Sequence, residues 1–226
     1  MTRRLVLWRH GQTEWNVGGR GQGHLDVPLD DVGRDQAKAA AARLASLRPT
    51  AIVSSDLSRA YETAAALAEL TGLEVQHDPA LREINLGQWQ GLTRAEVDQR
   101  FADERRRMYA GEDIRRGVDG ETMAEVADRA GAAIERAAKL AEADGGSTVI
   151  VVAHGLSLRV GACHFLDVAA EHWNVFGGLS NCAWIVLEEG RRGWRFTEWN
   201  AGTLPEPVLS GDDVDSATDE AEPLAN

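Results

Sequence analysis

Two short apolar runs that end in the same dipeptide constrain the fold of this chain most strongly. The run LVLW at 5–8 leads into RHG, and the run TVIVVA at 148–153 leads into HG. Uninterrupted apolar runs of this length are typical of parallel strands buried on both faces of a sheet. Ligands of open α/β sheets bind beyond the carboxyl ends of the strands, so we expect His10 and His154 to meet at one crevice. A lone histidine is more often a hydrogen-bonded core residue, but two in matched contexts favour a function.

Helical patterns separate the apolar runs. Alanine-rich, amphipathic segments occur at 31–47, 58–71 and 121–143. A third short apolar run lies at 51–53, and segments 181–188 and 194–199 are candidates for a hairpin or edge strands. Strands that alternate with helices indicate an α/β fold. We therefore expect a three-layer α/β/α sandwich with a mainly parallel central sheet and a small helical cap insertion.

The chain divides into a folded part and an acidic tail. We expect one domain over 1–204, because the length allows one sizeable core without requiring a second domain. Residues 205–226 contain seven acidic residues, no basic residue and little apolar content, which predicts a disordered tail. Segment 93–120 interrupts the alternation, is rich in arginine, and is predicted to form the cap. Since 22 of the 24 basic residues of the chain are Arg, a solvated helix face is the alternative interpretation.

Composition excludes several classes of function. A formal net charge of -12 argues against binding to the phosphate backbone of a nucleic acid, which relies on a basic surface. No apolar run reaches the length of a membrane span, and the first residues turn polar too soon for a signal peptide, so we expect a cytoplasmic protein. Cys163 and Cys182 lack metal-ligand spacing and are expected to be buried, reduced thiols.

A third strand-to-helix transition contributes a basic residue. The stretch AIVSSDLSRAYETAAAL indicates a strand, a polar turn and a helix, with Asp56 or Ser58 available to cap the helix. Arg59 then falls in the first turn, where the positive end of the helix dipole disfavours a cation, so an anion is expected nearby. A surface ion pair of Arg59 with Glu62 or Asp56 is the alternative.

These features together suit a phosphoryl group. Guanidinium forks match its oxygens, and small residues let backbone N–H groups approach it. The expected pocket contains Arg9, Arg59, Gly11, Thr13 and Asn16. A neutral imidazole in such a pocket can attack phosphorus, and a phosphohistidine would divide one difficult displacement into two easier ones. The second imidazole would stabilise the transferred group or orient the first.

The alcohol that leaves phosphorus also needs a proton. Glu83 lies beside Leu81 and Ile84 in the stretch LREINLGQWQGLT. Burial among apolar side chains would favour its protonated form and suit it to general-acid catalysis. An ordinary salt bridge between Glu83 and Arg82 is the alternative.

The combination of RHG with a second histidine, a helix arginine and an acidic residue resembles the histidine phosphatase superfamily. That family includes metal-independent phosphatases and bisphosphoglycerate-dependent phosphoglycerate mutases, and the resemblance extends over residues 4–201. It implies a phosphorylated nucleophile at His10 and a proton donor at Glu83. The positions that it places around the phosphoryl group are Arg9, Arg59 and His154, with Asn16, Gln22 and Gly155 in the rest of the pocket. It implies no metal and no cofactor; two histidines in one crevice leave an adventitious metal as a weak alternative.

Within the family, REINLGQWQGLT resembles the phosphatases more than the mutases. The segments WNVGGRGQGHLD, VSSDLSRAYETAAAL and WNAG resemble actinobacterial glucosyl-3-phosphoglycerate phosphatases in particular. This resemblance implies a small phosphorylated sugar acid as substrate, whose carboxylate would require a cation from segment 93–120 or from Arg20. The alternatives are a broad-specificity or α-ribazole-type phosphatase, a phosphoglycerate mutase, and a non-catalytic phosphoryl-binding or scaffold member.

The sequence leaves the oligomeric state open. The apolar stretch 181–187 is a candidate for a sheet-edge contact in a homodimer. A monomer in which this edge is covered would have the same pattern.

Overall fold

One six-stranded sheet organises the chain, whose computed structural model describes residues 3–141 and 147–203. The strand order is β3-β2-β4-β1-β5-β6. The strands are β1 (Arg4–Arg9), β2 (Ala51–Ser54), β3 (Val75–His77), β4 (Thr148–Ala153), β5 (Trp184–Gly190) and β6 (Gly193–Ala201). The predicted acidic tail, 205–226, lies outside the described residues.

The sheet is mainly parallel, as predicted. Strands β3, β2, β4 and β1 run parallel to one another, and the hairpin β5–β6 is added antiparallel to β1. All six residues of β4 are buried, which explains its uninterrupted apolar run. Strand β3 was not predicted, because it has only three residues and two of them are exposed.

Helices cover both faces of the sheet. The helices are α1 (Glu14–Val17), α2 (Asp31–Ala45), α3 (Ser58–Thr71), α4 (Arg94–Arg100), α5 (Ala102–Tyr109), α6 (Met123–Leu140) and α7 (Gly155–Phe165). Val6 and Ile150 pack with α2 and α3 on one face. Leu7 and Val151 pack with α6 and α7 on the other face. The alternation of side chains along each strand therefore divides the core into two layers and gives the predicted α/β/α sandwich.

Helices α4 and α5 lie within the arginine-rich segment 93–120. Their apolar side pairs Val97 with Trp89 and Ile114 in a small separate cluster. Outward-facing arginines form ion pairs, such as Arg106 with Asp103 at 2.9 Å. The segment therefore combines a helical cap with the solvated face that was the alternative interpretation.

The proposed sheet-edge contact at 181–187 is wrong. Residues 184–187 belong to β5, which is hydrogen-bonded to β1 on one side and to β6 on the other. Ile185 and Leu187 are fully buried in the core of the same chain. The apolar character of this stretch reflects an interior strand; the edge strands are β3 and β6.

Two further expectations concern the burial of the two cysteines and the length of apolar helices. Cys163 and Cys182 are free and buried, and burial raises the pKa of these thiols to about 11 and about 12. In the described ranges, no helix combines the length and the apolar character needed to cross a bilayer.

Candidate active site

His10 follows directly after β1 and is almost fully buried. Its Nδ1 atom donates to the carbonyl oxygen of Gly11 at 2.7 Å. A carbonyl oxygen only accepts hydrogen bonds, so Nδ1 must carry the proton and Nε2 keeps its lone pair. The imidazole is thus held in the tautomer that presents a nucleophilic nitrogen.

Two glycines allow the backbone after His10 to pack against the start of α2. A Cβ atom on Gly11 would lie 2.4 Å from the carbonyl oxygen of Gly33, and one on Gly33 would lie 2.0 Å from that of Gln12. Both distances are far below any van der Waals contact, so neither position accepts a side chain. The amide of Gly11 also donates to Thr63 Oγ1 of α3 at 3.1 Å. The glycine of the RHG motif is therefore required by packing.

His154 lies at the end of β4 and is the N-cap residue of α7. Its ring centroid is 5.2 Å from that of His10, which confirms that the two imidazoles share one crevice. Its Nε2 atom is hydrogen-bonded to Ser55 Oγ at 2.9 Å. Its Nδ1 atom is buried and has no hydrogen-bond partner among the described residues, which leaves this atom for a ligand.

Both imidazoles are held in the neutral form. Burial lowers the pKa of His10 well below the ordinary value, and the positive charges of Arg59 and Arg9 lower it further. The pKa of His154 is lowered well below its ordinary value first by burial and then by Arg59, His10 and Arg9. Each ring is therefore uncharged at neutral pH, as attack on phosphorus requires.

Arg9 and Arg59 are each only 1% exposed. Arg9 donates through Nη1 to the carbonyl of Leu179. Arg59 donates to the carbonyls of Leu25 and Gly23 at 2.9 and 2.8 Å, so loop carbonyls fix the orientation of both guanidinium groups. Two buried cations beside two neutral rings make this crevice an anion site.

The surroundings of Arg59 also correct two expectations. Arg59 lies in the first turn of α3, as predicted, but the N-cap residue is Leu57 and neither Asp56 nor Ser58 caps the helix. Asp26 instead accepts the Ser58 amide at 2.8 Å. Arg59 is buried, so the alternative of a surface ion pair with Glu62 or Asp56 is wrong. The structure records Asp56 with Arg82 and Glu62 with Arg34.

Buried amides complete the anion site. Asn16 Oδ1 accepts from the Thr13 amide at 3.0 Å and from Asn181 Nδ2 at 3.2 Å, while Asn16 Nδ2 has no hydrogen-bond partner in the described ranges. Both amide atoms of Gln22 are likewise buried without partners there. Thr13 caps α1 and orients Asn16, so the structure gives it a supporting position. Asn181 was not predicted, because it approaches from a loop 165 residues farther along the chain.

Glu83 is buried, but its carboxylate does not have the apolar surroundings that the sequence suggested. It accepts three backbone N–H groups: Ile84 at 2.9 Å, Ser157 at 3.0 Å and Leu156 at 3.1 Å. The last two belong to the first turn of α7, immediately after Gly155, which is itself buried. The alternative salt bridge with Arg82 is also wrong, because Arg82 pairs with Asp56. The start of α7 thus connects Glu83 to His154.

Residues that sequence reasoning missed hold the Glu83 backbone in place. The Glu83 carbonyl oxygen is 2.8 Å from Arg129 Nη2, which donates to it, and 2.8 Å from His24 Nε2. Arg129 is in turn paired with Glu121 at 2.8 Å. No spacing in the sequence signals this network, since its members come from three distant segments.

A cavity of about 310 Å³ opens beside Glu83 and extends under the cap. Residues of α7, of the loop around Trp89 and of α5 line it, including Leu156, Arg159, Arg105 and Tyr109. Arg20 is not among its walls: this side chain donates to the Gly91 carbonyl and pairs with Glu96. The described residues contain no group of three His, Cys, Asp or Glu side chains arranged to hold a metal ion.

Comparisons with known proteins agree with this geometry. Residues 5–202 match the family model of the histidine phosphatase superfamily (branch 1). The glucosyl-3-phosphoglycerate phosphatase of Mycolicibacterium vanbaalenii is 40% identical over 216 residues, covering 88% of this chain and 95% of that protein. The probable phosphoglycerate mutase GpmB of Serratia proteamaculans is 37% identical over 195 residues, covering 86% of this chain and 89% of that protein.

A solved structure is similar to this chain over most of its length. A mycobacterial glucosyl-3-phosphoglycerate phosphatase in complex with VO3 has a TM-score of 0.82 and 40% identity, covering 88% of this chain and 100% of that chain. The range matched by the family model, 5–202, contains His10, Arg59 and His154. The chain belongs to the histidine phosphatase superfamily.

Proposed function

We propose that this chain is a metal-independent phosphomonoesterase that works through a phosphohistidine intermediate. The observation that carries the proposal is the His10 imidazole, buried, neutral and presenting Nε2 to a crevice with two guanidinium groups. Neutrality makes the ring a nucleophile, and the cations stabilise the charge that develops on the phosphoryl oxygens.

In the first step, the phosphate of the substrate binds to Arg9, Arg59 and the free amide atoms of Asn16 and Gln22. The Nε2 lone pair of His10 attacks phosphorus, and the bond between phosphorus and the ester oxygen breaks. Protonated Glu83 gives its proton to the departing alkoxide. The products are the free alcohol and a phosphohistidine.

In the second step, water attacks the phosphorus of phosphohistidine while the Glu83 carboxylate accepts its proton. The phosphorus–nitrogen bond breaks and its electron pair returns to Nε2 of His10.

Replacement of His10 by Ala tests this mechanism. Removal of the nucleophile should lower the hydrolysis of an aryl phosphate roughly 10⁶-fold, the scale seen when a nucleophile is deleted. Wild-type enzyme quenched in an alkaline denaturant should carry labelled phosphate on His10, because a phosphorus–nitrogen bond is stable in base and hydrolyses in acid. Mass spectrometry of peptides kept at alkaline pH detects the label. The exposed His172, changed to Ala, is the control and should retain the wild-type rate. An unchanged rate in His10→Ala would refute the mechanism.

We infer that the substrate is glucosyl-3-phosphoglycerate or a closely related phosphorylated sugar acid. The relatives that carry this name support the inference, and the 310 Å³ cavity next to Glu83 offers room for a group of this size. The catalytic efficiency on glucosyl-3-phosphoglycerate should exceed that on 3-phosphoglycerate and on α-ribazole phosphate. A higher kcat/KM for either competitor would contradict the inference.

A phosphoglycerate mutase is the second candidate, favoured by the relative that carries that name. A mutase returns the phosphoryl group to a second alcohol instead of to water. With 3-phosphoglycerate and a bisphosphoglycerate primer, a phosphatase should release inorganic phosphate faster than it forms 2-phosphoglycerate.

The homodimer, the cytoplasmic location and the domain limits, 1–204 with a cap at about 93–120, stay predictions.

A further inference from the structure

Arg159 is a buried cation in the wall of the cavity beside Glu83. It lies on α7, three residues after Leu156, whose amide donates to the Glu83 carboxylate. Residues three apart lie on the same face of a helix, about 4.5 Å apart along its axis. Arg159 is 8% exposed and lines the cavity together with Leu156 and Glu83. The Arg159 backbone therefore lies about one helical turn from the Leu156 amide that holds the Glu83 carboxylate, and its side chain lines the same cavity as Glu83.

Among the residues that the structure describes, no acidic side chain forms an ion pair with Arg159. In the ranges 3–141 and 147–203, its hydrogen-bond partner is the carbonyl oxygen of Phe176, which accepts from Nη1 at a long 3.4 Å. Its buried Nε atom has no hydrogen-bond partner in those ranges. Burial of an uncompensated cation is costly, and such groups are normally paired. An anionic group of a ligand would supply the missing charge.

Most of the arginines that the sequence suggested for this purpose face acids. Arg116, which also lines the cavity, donates to the Ile114 carbonyl at 2.8 Å. Arg105 donates to Asp98 at 2.7 Å, and Arg20 pairs with Glu96 at 3.3 Å. Arg107 and Arg115 likewise pair with Glu112 and Glu125. An anion bound by these side chains would have to compete with a carboxylate of the protein.

We infer that Arg159 binds the carboxylate of the substrate and selects phosphate esters of hydroxy acids. This inference rests on the proposed function and names the specificity residue of that same site. In an ester of 3-phosphoglycerate, one carbon separates the carboxylate from the phosphorylated carbon, so the two anionic groups lie close together. The Arg159 guanidinium lines the same cavity as Glu83 and Leu156 and offers a fork to the carboxylate.

The test compares two substrates that differ only in the carboxylate, 3-phosphoglycerate and glycerol 3-phosphate. The wild-type enzyme should prefer the first. In Arg159→Met, which keeps an unbranched apolar stem but loses the charged guanidinium group, the ratio of the two kcat/KM values should fall about 10- to 100-fold. Most of the loss should appear in KM. Arg136→Met, which removes an exposed arginine paired with Asp78, should leave the ratio unchanged.

Arg159→Lys distinguishes a loss of carboxylate binding from a loss of the folded structure. A lysine keeps one charge without the fork, so its ratio should lie between those of the wild type and Arg159→Met, and this variant also serves if Arg159→Met does not fold. The inference is overturned if the ratio stays constant in both variants, if both substrates lose activity equally, or if the wild type shows no preference.

Failure of the proposed function gives a different result. If glucosyl-3-phosphoglycerate is a poor substrate but the ratio for the two small esters still falls, the named substrate is wrong and Arg159 retains its role. If no ester is hydrolysed, calorimetric binding of the same two esters gives the ratio without turnover. Equal binding of the two esters by the wild type would then overturn the inference about Arg159.

Discussion

His10 owes its proposed reactivity to burial more than to any hydrogen bond. The Nδ1 contact with the Gly11 carbonyl alone would raise the pKa of the ring, yet burial and the two neighbouring guanidinium groups outweigh it. The same cations that attract a phosphate therefore keep the nucleophile unprotonated. Arg9 and Arg59 therefore have two roles. They bind the phosphate dianion, which compensates their charge, and they keep His10 neutral.

Glu83→Gln should separate proton donation from binding. The amide keeps one oxygen, which can accept the Ser157 and Ile84 amides but leaves its NH2 group facing the Leu156 amide, and it cannot deliver a proton to an alkoxide. Hydrolysis of an alkyl phosphate should fall about 10²- to 10⁴-fold, the usual contribution of general acid catalysis. Hydrolysis of an aryl phosphate should fall much less, because its leaving group is stable without a proton.

The measurement is kcat for both esters, with Glu135→Gln on the exposed face of α6 as the control. Equal losses on the two esters would mean that Glu83 does not protonate the leaving group.

Local patterns reveal the positions that end a strand or begin a helix. His10, His154 and Arg59 were predicted because each follows a recognisable apolar run or helix start. Asn181 and Arg159 were not, since long-range packing brings them to the site and their neighbours in the sequence carry no signal. The donors to Glu83 were missed for a related reason: they are the backbone amides of Ile84, Leu156 and Ser157, and almost any residue would supply such an amide.

The contact between the end of β1 and the start of α2 should be intolerant of side chains. Gly11→Ala would bring a methyl group against the backbone of Gly33, which has no flexible end to move aside. Overpacking of this kind typically costs about 1–3 kcal/mol of unfolding free energy. We also expect a large loss of activity, because relief of the clash would displace His10.

Urea denaturation and aryl phosphate hydrolysis measure these two effects. Gly177→Ala is the matched control, since a Cβ atom there meets nothing within 4 Å. If Gly11→Ala and Gly177→Ala had similar stability and activity, the close approach of Gly11 to Gly33 would not be important.

Stability of the folded chain should depend on pH through its two buried imidazoles. The pKa values of His10 and His154 are lowered in the folded state, so below about pH 6.5 the unfolded chain binds more protons than the folded one. The free energy of unfolding should therefore fall as the pH drops below 6.5, by up to about 1.4 kcal/mol per pH unit for each histidine.

Urea titrations between pH 7.5 and pH 5.5 measure this slope. His154→Asn, which removes one of the two groups, should reduce it. A chain that becomes more stable as the pH falls through this window would contradict the assignment of two neutral, buried rings.

The first turn of α7 fixes the distance between two parts of the site. Its N-cap residue is His154, and its next amides hold the Glu83 carboxylate, so one rigid helix sets the distance from the phosphate pocket to the proton donor. That distance suits one ester bond whatever alcohol is attached. Changes in α4 and α5 can then alter the alcohol that fits while the bond that breaks stays the same, which makes the cap the part of this fold that can diversify without loss of chemistry.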